Sequence, residues 1–201
     1  MITTPEPGSE LPPARPRPEA LAMLAQRRSC IASQLSAPGP TDAELRDLLR
    51  VAARVPDHGK LSPWRFILLQ GEHKSRFSRA LRKLNPDAGA KELAAIDKLE
   101  IPPVSVVVVS RTSACRIPVW EQELSAGAVC MNLLTAACAM GFGGNWITGW
   151  YAYDARVNGL LGLAENERVA GFIQIGRIEG PLKERPRSEI DELVSTWHGT
   201  D

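Results

Sequence analysis

The run Val104-Ser105-Val106-Val107-Val108-Val109-Ser110 constrains this chain more than any other segment. Consecutive β-branched residues favour an extended backbone. A strand with one wet face would alternate apolar and polar residues, but here apolar side chains project to both sides. Such a strand belongs inside a sheet, with helices covering both faces. At 201 residues, 44% of them hydrophobic, the chain can supply that cover within one domain.

The remaining pattern provides the helices. Apolar positions Leu21, Leu24 and Ala25 predict a helix from Pro18 or Glu19 to about Arg28. Residues 31–40 read as loop. Thr41 with Glu44 forms a capping-box signature ahead of Leu45, Leu48, Leu49 and Ala52, and Pro56 stops that helix. Residues 64–70 read as a strand, 73–84 and 88–98 as helices. Residues 119–140 form the longest helix candidate, apolar nearly all round and rich in Ala and Gly. It is therefore expected to be central or at a subunit interface. Gly141-Phe142-Gly143-Gly144 ends it. Asp154 opens a short helix to Leu161, a strand follows at 169–175, and a last short helix is expected at 188–197. Residues 1–18 hold six prolines and read as a disordered leader, leaving 19–201 as a single domain.

Several function classes are excluded. Net charge is +1 with no long basic block, so nucleic acid is not an expected partner. Cys30, Cys115, Cys130 and Cys138 contain no Cys-x-x-Cys pair, and His58, His73 and His198 lack ligand spacing, so no metal site is expected. Reduced cysteines and the absence of a signal-peptide core fit a cytoplasmic protein. No stretch reads as a membrane span. No Gly-x-Gly-x-x-Gly follows a strand, and no Gly-x-Ser-x-Gly is present. With no triad, metal or paired carboxylate, any difficult chemistry falls to an organic cofactor.

Several segments are candidates for binding it. Arg27-Arg28-Ser29 can hold a phosphate by charge-assisted hydrogen bonds, or it is a solvated helix end. Arg54 to Lys60, stiffened by Pro56, is a polar loop that either carries function or merely connects. Gly141 to Thr148 offers small residues and a Trp146 wall, or is a tight turn with a core tryptophan. Glu121 and Glu123 suit the first turn of the long helix by their charge, with an acid–base role as the alternative. Arg177, Lys183, Arg185 and Arg187 either add phosphate contacts or form a solvated tail.

Taken together, these segments resemble the nitroreductase-like FMN-dependent oxidoreductase family, in particular its small YdjA-type branch. The resemblance rests on Arg27-Arg28-Ser29, Ala53 to His58 with Pro63-Trp64, Pro118 to Gly127, Gly141 to Trp146, and Gly171 to Gly176. It spans about residues 19–185. It implies an α+β sandwich, a central and mainly antiparallel sheet surrounded by helices, in an intertwined homodimer with FMN at the interface. It also implies that Arg27, Arg28 and Ser29 contact the FMN phosphate or ribityl chain. Arg54 and His58 would reach the cofactor from the second subunit, and Trp146, Ile147 and Thr148 would run along the isoalloxazine edge. Arg177 would add to the phosphate site, and residues 136–141 match a segment suggested to bind the nicotinamide nucleotide. Ile31 departs from the pattern, because many members carry arginine there.

The activity so implied is a ping-pong NAD(P)H oxidoreductase with no protein nucleophile. NADH or NADPH would reduce the flavin, which would pass two electrons to a nitroaromatic, a quinone or a similar small acceptor. The alternative is a flavin-binding protein, or a flavoenzyme acting on another metabolite such as an enone or halogenated ring.

Overall fold

The computed structural model describes residues 2–199. Residues 2–17 contain no helix or strand, and the Ile2 backbone N–H donates to the buried Asp47 carboxylate at 2.9 Å. The elements then run α1 (Pro18–Gln26), β1 (Leu35–Ser36), α2 (Asp42–Ala52), β2 (Trp64–Gln70), α3 (Gly71–Leu84), α4 (Ala90–Glu100), β3 (Val104–Arg111), α5 (Val119–Ala139), β4 (Gly143–Ile147), α6 (Ala155–Leu161) and β5 (Glu167–Ile178).

β3 is the valine strand, and its residues 104–110 are all buried. It lies between β2 and β5, pairing antiparallel with both; Val107 faces Ile67 on one side and Phe172 on the other. The outer edge of β5 carries β4 and then β1, again antiparallel. Helices cover both faces, as double-sided burial demands. Val106 and Val108 pack with Ile173, Ile175 and the apolar faces of α2 and α5. Val107 and Val109 pack with Phe172 and with Phe77, Leu81, Ile96 and Leu99 of α3 and α4. The architecture is the expected α+β sandwich with its antiparallel sheet.

Local signals explain most boundaries. The Thr41 hydroxyl accepts from Glu44 N–H at 3.3 Å, and the Glu44 carboxylate accepts from Thr41 N–H at 2.8 Å. α6 starts where the Asp154 carboxylate accepts from Arg156 N–H, and ends at Gly162 with φ +60°.

Three elements differ from expectation. β4 forms where a turn was expected, because two adjacent glycines let the chain press against its neighbours. A Cβ on Gly143 would stand 2.6 Å from Ile178, and one on Gly144 would stand 2.7 Å from Leu134. β1 is a two-residue pairing inside the expected 31–40 loop. The helix expected at 188–197 is only a 3-10 turn, Ile190–Glu192, whose side chains are exposed. With no core surface to bury, nothing offsets the cost of nucleating a longer helix.

Candidate functional site

Alternation along β4 decides which side chains can share a cavity. Neighbouring strand residues point to opposite faces. The β4–β5 register sets Trp146 opposite Ile173, on the α5 side of the sheet, and Asn145 opposite Gln174. Gln174 faces α4, where its amide Nε2 donates to the Lys98 carbonyl at 2.7 Å. Trp146 and Ile147 therefore serve different faces, although the sequence reading grouped them along one edge.

On the α4 side lies a cavity of about 620 Å³. Ile31, Ala32 and Ser33 form one wall, and Ala95, Lys98 and Ile101 form another. Asn145, Gln174 and Tyr151 bound it from the sheet side, and Ile147, Thr148 and Gly149 run along it. Gly149 permits a close approach of the chain, since a Cβ there would stand 2.6 Å from the Tyr151 ring. Burial pushes the Tyr151 phenol above its ordinary range, which keeps it neutral. The Tyr151 hydroxyl and Gln174 Oε1 are buried without a hydrogen-bond partner among the described residues. Among the described residues, Lys98 is the only charged side chain in the wall.

A second cavity of about 540 Å³ lies on the α5 side. Arg27 and Arg28 border it, with Leu134, Cys138, Phe142, Gly143 and Gly144. Arg28 is engaged: its Nε donates to the Lys183 carbonyl at 3.1 Å and meets the Glu184 carboxylate at 3.3 Å. Arg27, half-buried, makes no side-chain hydrogen bond or salt bridge among the described residues. Arg177 stands 4.6 Å over the Phe142 ring. Between the segments that line the two cavities, Cys30 N–H donates to the Gly144 carbonyl at 3.0 Å. Ser29 is exposed and lines neither cavity, and burial raises the Cys30 thiol pKa.

The structure thus brings Arg27 and Arg28 to one cavity, with Arg177 stacked on its Phe142, and Ile147 and Thr148 to the other. Trp146 packs over Gly171 and donates from Nε1 to the Ala170 carbonyl at 3.1 Å. It borders a pocket of about 290 Å³ where Glu123 meets Arg168 at 3.2 Å. Arg54 is exposed just beyond α2. His58 Nδ1 lies 2.6 Å from Glu121 Oε2, so Glu121, in the first turn of α5, and Glu123, just after it, have imidazole and guanidinium partners. The loop carrying His58 is held in place. The Asp57 carboxylate accepts from Leu61 N–H at 3.0 Å and Ser62 N–H at 2.9 Å, and the Ser125 hydroxyl donates to the Pro56 carbonyl. Neither Arg54 nor His58 borders the two larger cavities within one chain.

Lys98, Asn145, Tyr151 and Gln174 were missed in the sequence. Gln174 was findable, as a lone amide within the apolar strand Gly171-Phe172-Ile173-Gln174-Ile175. Lys98 was not, because a lysine in a last helical turn is ordinary.

A family model described as "Nitroreductase family" matches residues 24–177. YdjA of Escherichia coli (strain K12) is 37% identical over 163 residues, covering 79% of this chain and 87% of that protein. Among solved structures, the nitroreductase-like family protein from Bacillus cereus superposes with a TM-score of 0.77 at 20% identity, covering 93% of this chain and 100% of that one. The NADPH:FMN oxidoreductase from Vibrio harveyi, complexed with NAD+, gives 0.72 at 18% identity, covering 90% and 78%.

Proposed function

This chain belongs to the nitroreductase family, and from that premise we propose that it is an FMN-dependent NAD(P)H oxidoreductase acting as a homodimer on a small electron acceptor. The 620 Å³ cavity carries the reading. Its size is that of a site for a compact ligand, and its walls are mostly aliphatic with a few polar groups. Those features fit a flat heteroaromatic ring. Gly149 removes the side chain that would obstruct the wall, and Gln174 Oε1 is an acceptor in need of a donor such as a ring N–H. The Vibrio harveyi protein, named for NADPH and FMN, shares this fold.

When bound, the flavin supplies hydride acceptance and two-electron transfer, alternating between nicotinamide nucleotide and acceptor. The chain supplies placement and charge. Ile31, Ala95 and Ile147 would flank the ring and keep water from it. Ser29 and the unpaired Arg27 guanidinium would bind the phosphate, with Arg28 and Arg177 adding positive potential. Arg54 and His58, on a loop held rigid against α5, would reach the cofactor across the dimer interface. Trp146, on the opposite face of β4, would set the position of that strand by its hold on Gly171.

The test is to load the purified protein with FMN, add NADH or NADPH without oxygen, and follow flavin absorbance. Stoichiometric FMN, bleaching by a nucleotide and reoxidation by nitroaromatics or quinones are expected. Failure to bind FMN overturns the reading, and bound FMN that neither nucleotide reduces would make this a flavin-binding protein.

A further inference from the structure

We propose that Glu121 is a positioning residue for His58: it fixes the imidazole proton on Nδ1 and turns Nε2, as a hydrogen-bond acceptor, toward the cofactor. The proposal deepens the flavin reading, in which His58 reaches the cofactor across the subunit interface, and rests on it. Three observations carry it.

The contact assigns the proton. His58 Nδ1 lies 2.6 Å from Glu121 Oε2. Glu121 stands in the first turn of α5, where the helix dipole favours a negative charge. A carboxylate only accepts, so the ring nitrogen facing it is the one that donates. The bond made by one imidazole nitrogen sets the state of the other. With its proton held on Nδ1, the neutral ring presents a lone pair at Nε2. A phosphate oxygen also only accepts and cannot pair with that nitrogen. The groups that fit it are donors, which in FMN are the ribityl hydroxyls and the ring N–H.

The loop that carries His58 is held in a costly conformation. Lys60 and Ser62 have φ of +56° and +46°, left-handed values that a side chain disfavours. The Asp57 carboxylate fastens this stretch through the Leu61 and Ser62 N–H groups. Ser125 of α5 fastens its start by donating to the Pro56 carbonyl. About 10 Å³ of free space remains between the loop and the helix. Backbone strain that its surroundings over-determine in this way clusters at functional sites.

The pair does little for the fold. The His58 and Glu121 side chains are 60% and 42% exposed, and charged contacts so exposed add little stability. The other polar side chains bordering the gap are committed elsewhere. Asp57 and Ser125 hold the loop, and Gln122 donates to the Ser113 and Ile117 carbonyls. Glu121 is left to the imidazole.

The experiment compares wild type, Glu121→Leu, His58→Ala and the double variant. Imidazole nitrogen resonances give the tautomer, before and after loading with FMN, and His58→Ala identifies the His58 signals among the three histidines. Flavin fluorescence gives the FMN dissociation constant, at concentrations where sedimentation shows the same association state as wild type. Wild type should show Nδ1 protonated and Nε2 unprotonated in both states. Glu121→Leu should lose that preference and bind FMN about tenfold more weakly, and the double variant should bind no more weakly than His58→Ala, because Glu121 acts through the imidazole. A proton on Nε2 in wild type, free or loaded, overturns the proposal. So does an unchanged FMN affinity in Glu121→Leu. Losses that add in the double variant also overturn it, since Glu121 would then act independently of His58. A wild type that binds no FMN overturns the flavin reading itself, while the tautomer of the flavin-free protein still decides whether Glu121 sets the imidazole.

Discussion

Gly171 is dictated by a side chain on the neighbouring strand. A Cβ at this position would lie 2.1 Å from Trp146 Nε1 and 2.5 Å from its Cδ1. Alanine would force the indole away and break its 3.1 Å hydrogen bond to the Ala170 carbonyl. Gly171→Ala should cost about 1–3 kcal/mol, the usual range for overpacking, and should red-shift tryptophan emission. Equal stability and unchanged emission would show that the ring is not held as described. The same pair shows how far residue-level reading of the sequence reaches. Trp146 and Gly171 both stood out as motif positions. Their mutual contact was invisible, because it depends on the β4–β5 register, and β4 carries too little β propensity to announce itself. Gly143-Gly144 reads as a turn until Ile178 and Leu134 are seen to occupy the space of the missing side chains.

Lys74 works as a joint between elements. It lies on α3, 3% exposed, and its ammonium donates to the Pro102 carbonyl in the turn between α4 and β3. Burial depresses its pKa to about 8, with Glu100 opposing the shift. The sign follows from linkage. Between pH 8 and 10.5 the unfolded chain binds more protons at this lysine than the folded one, so stability rises with pH through that window. Below it, the buried charge weighs on the fold in full, by about 3 kcal/mol at the usual 1.36 kcal/mol per unit. Urea unfolding of wild type between pH 7 and 10.5 should therefore show an upward slope that Lys74→Met lacks. Parallel profiles would place the lysine outside the core. At this scale the sequence was a better guide. The valine run required two covered faces, and the Thr41–Glu44 box set the start of α2. What it could not supply was tertiary: nothing in the sequence of α3 marks Lys74 as buried, and the 188–197 segment has the composition of a helix without a surface to pack on.

The whole molecule presents an apolar surface that a single chain leaves uncovered. Trp120 is 67% exposed and Leu124 52%, and Met131 continues the same long helix, α5. Spacings of four and seven residues put the three on one stripe. Gly127 lies between them with nothing within 4 Å of where its Cβ would be, so a second backbone can approach there. Exposed stripes of this kind mark association surfaces. The stripe begins beside His58, which Glu121 holds at 2.6 Å, so a partner docked on α5 would receive the Arg54–His58 loop with it. If that loop completes the cofactor site, oligomerisation and FMN affinity must be linked, because a ligand that binds only the dimer stabilises the dimer. Wild type should sediment as a dimer. Leu124→Lys, which places a charge on the stripe and touches neither large cavity, should sediment as a monomer with unchanged helical content and bind FMN at least tenfold more weakly. Raising its concentration, or adding excess FMN, should restore dimer in proportion. A monomeric wild type with full FMN affinity would refute the shared site. A monomeric variant that retains full affinity would leave the stripe as an interface but remove Arg54 and His58 from the cofactor's binding groups.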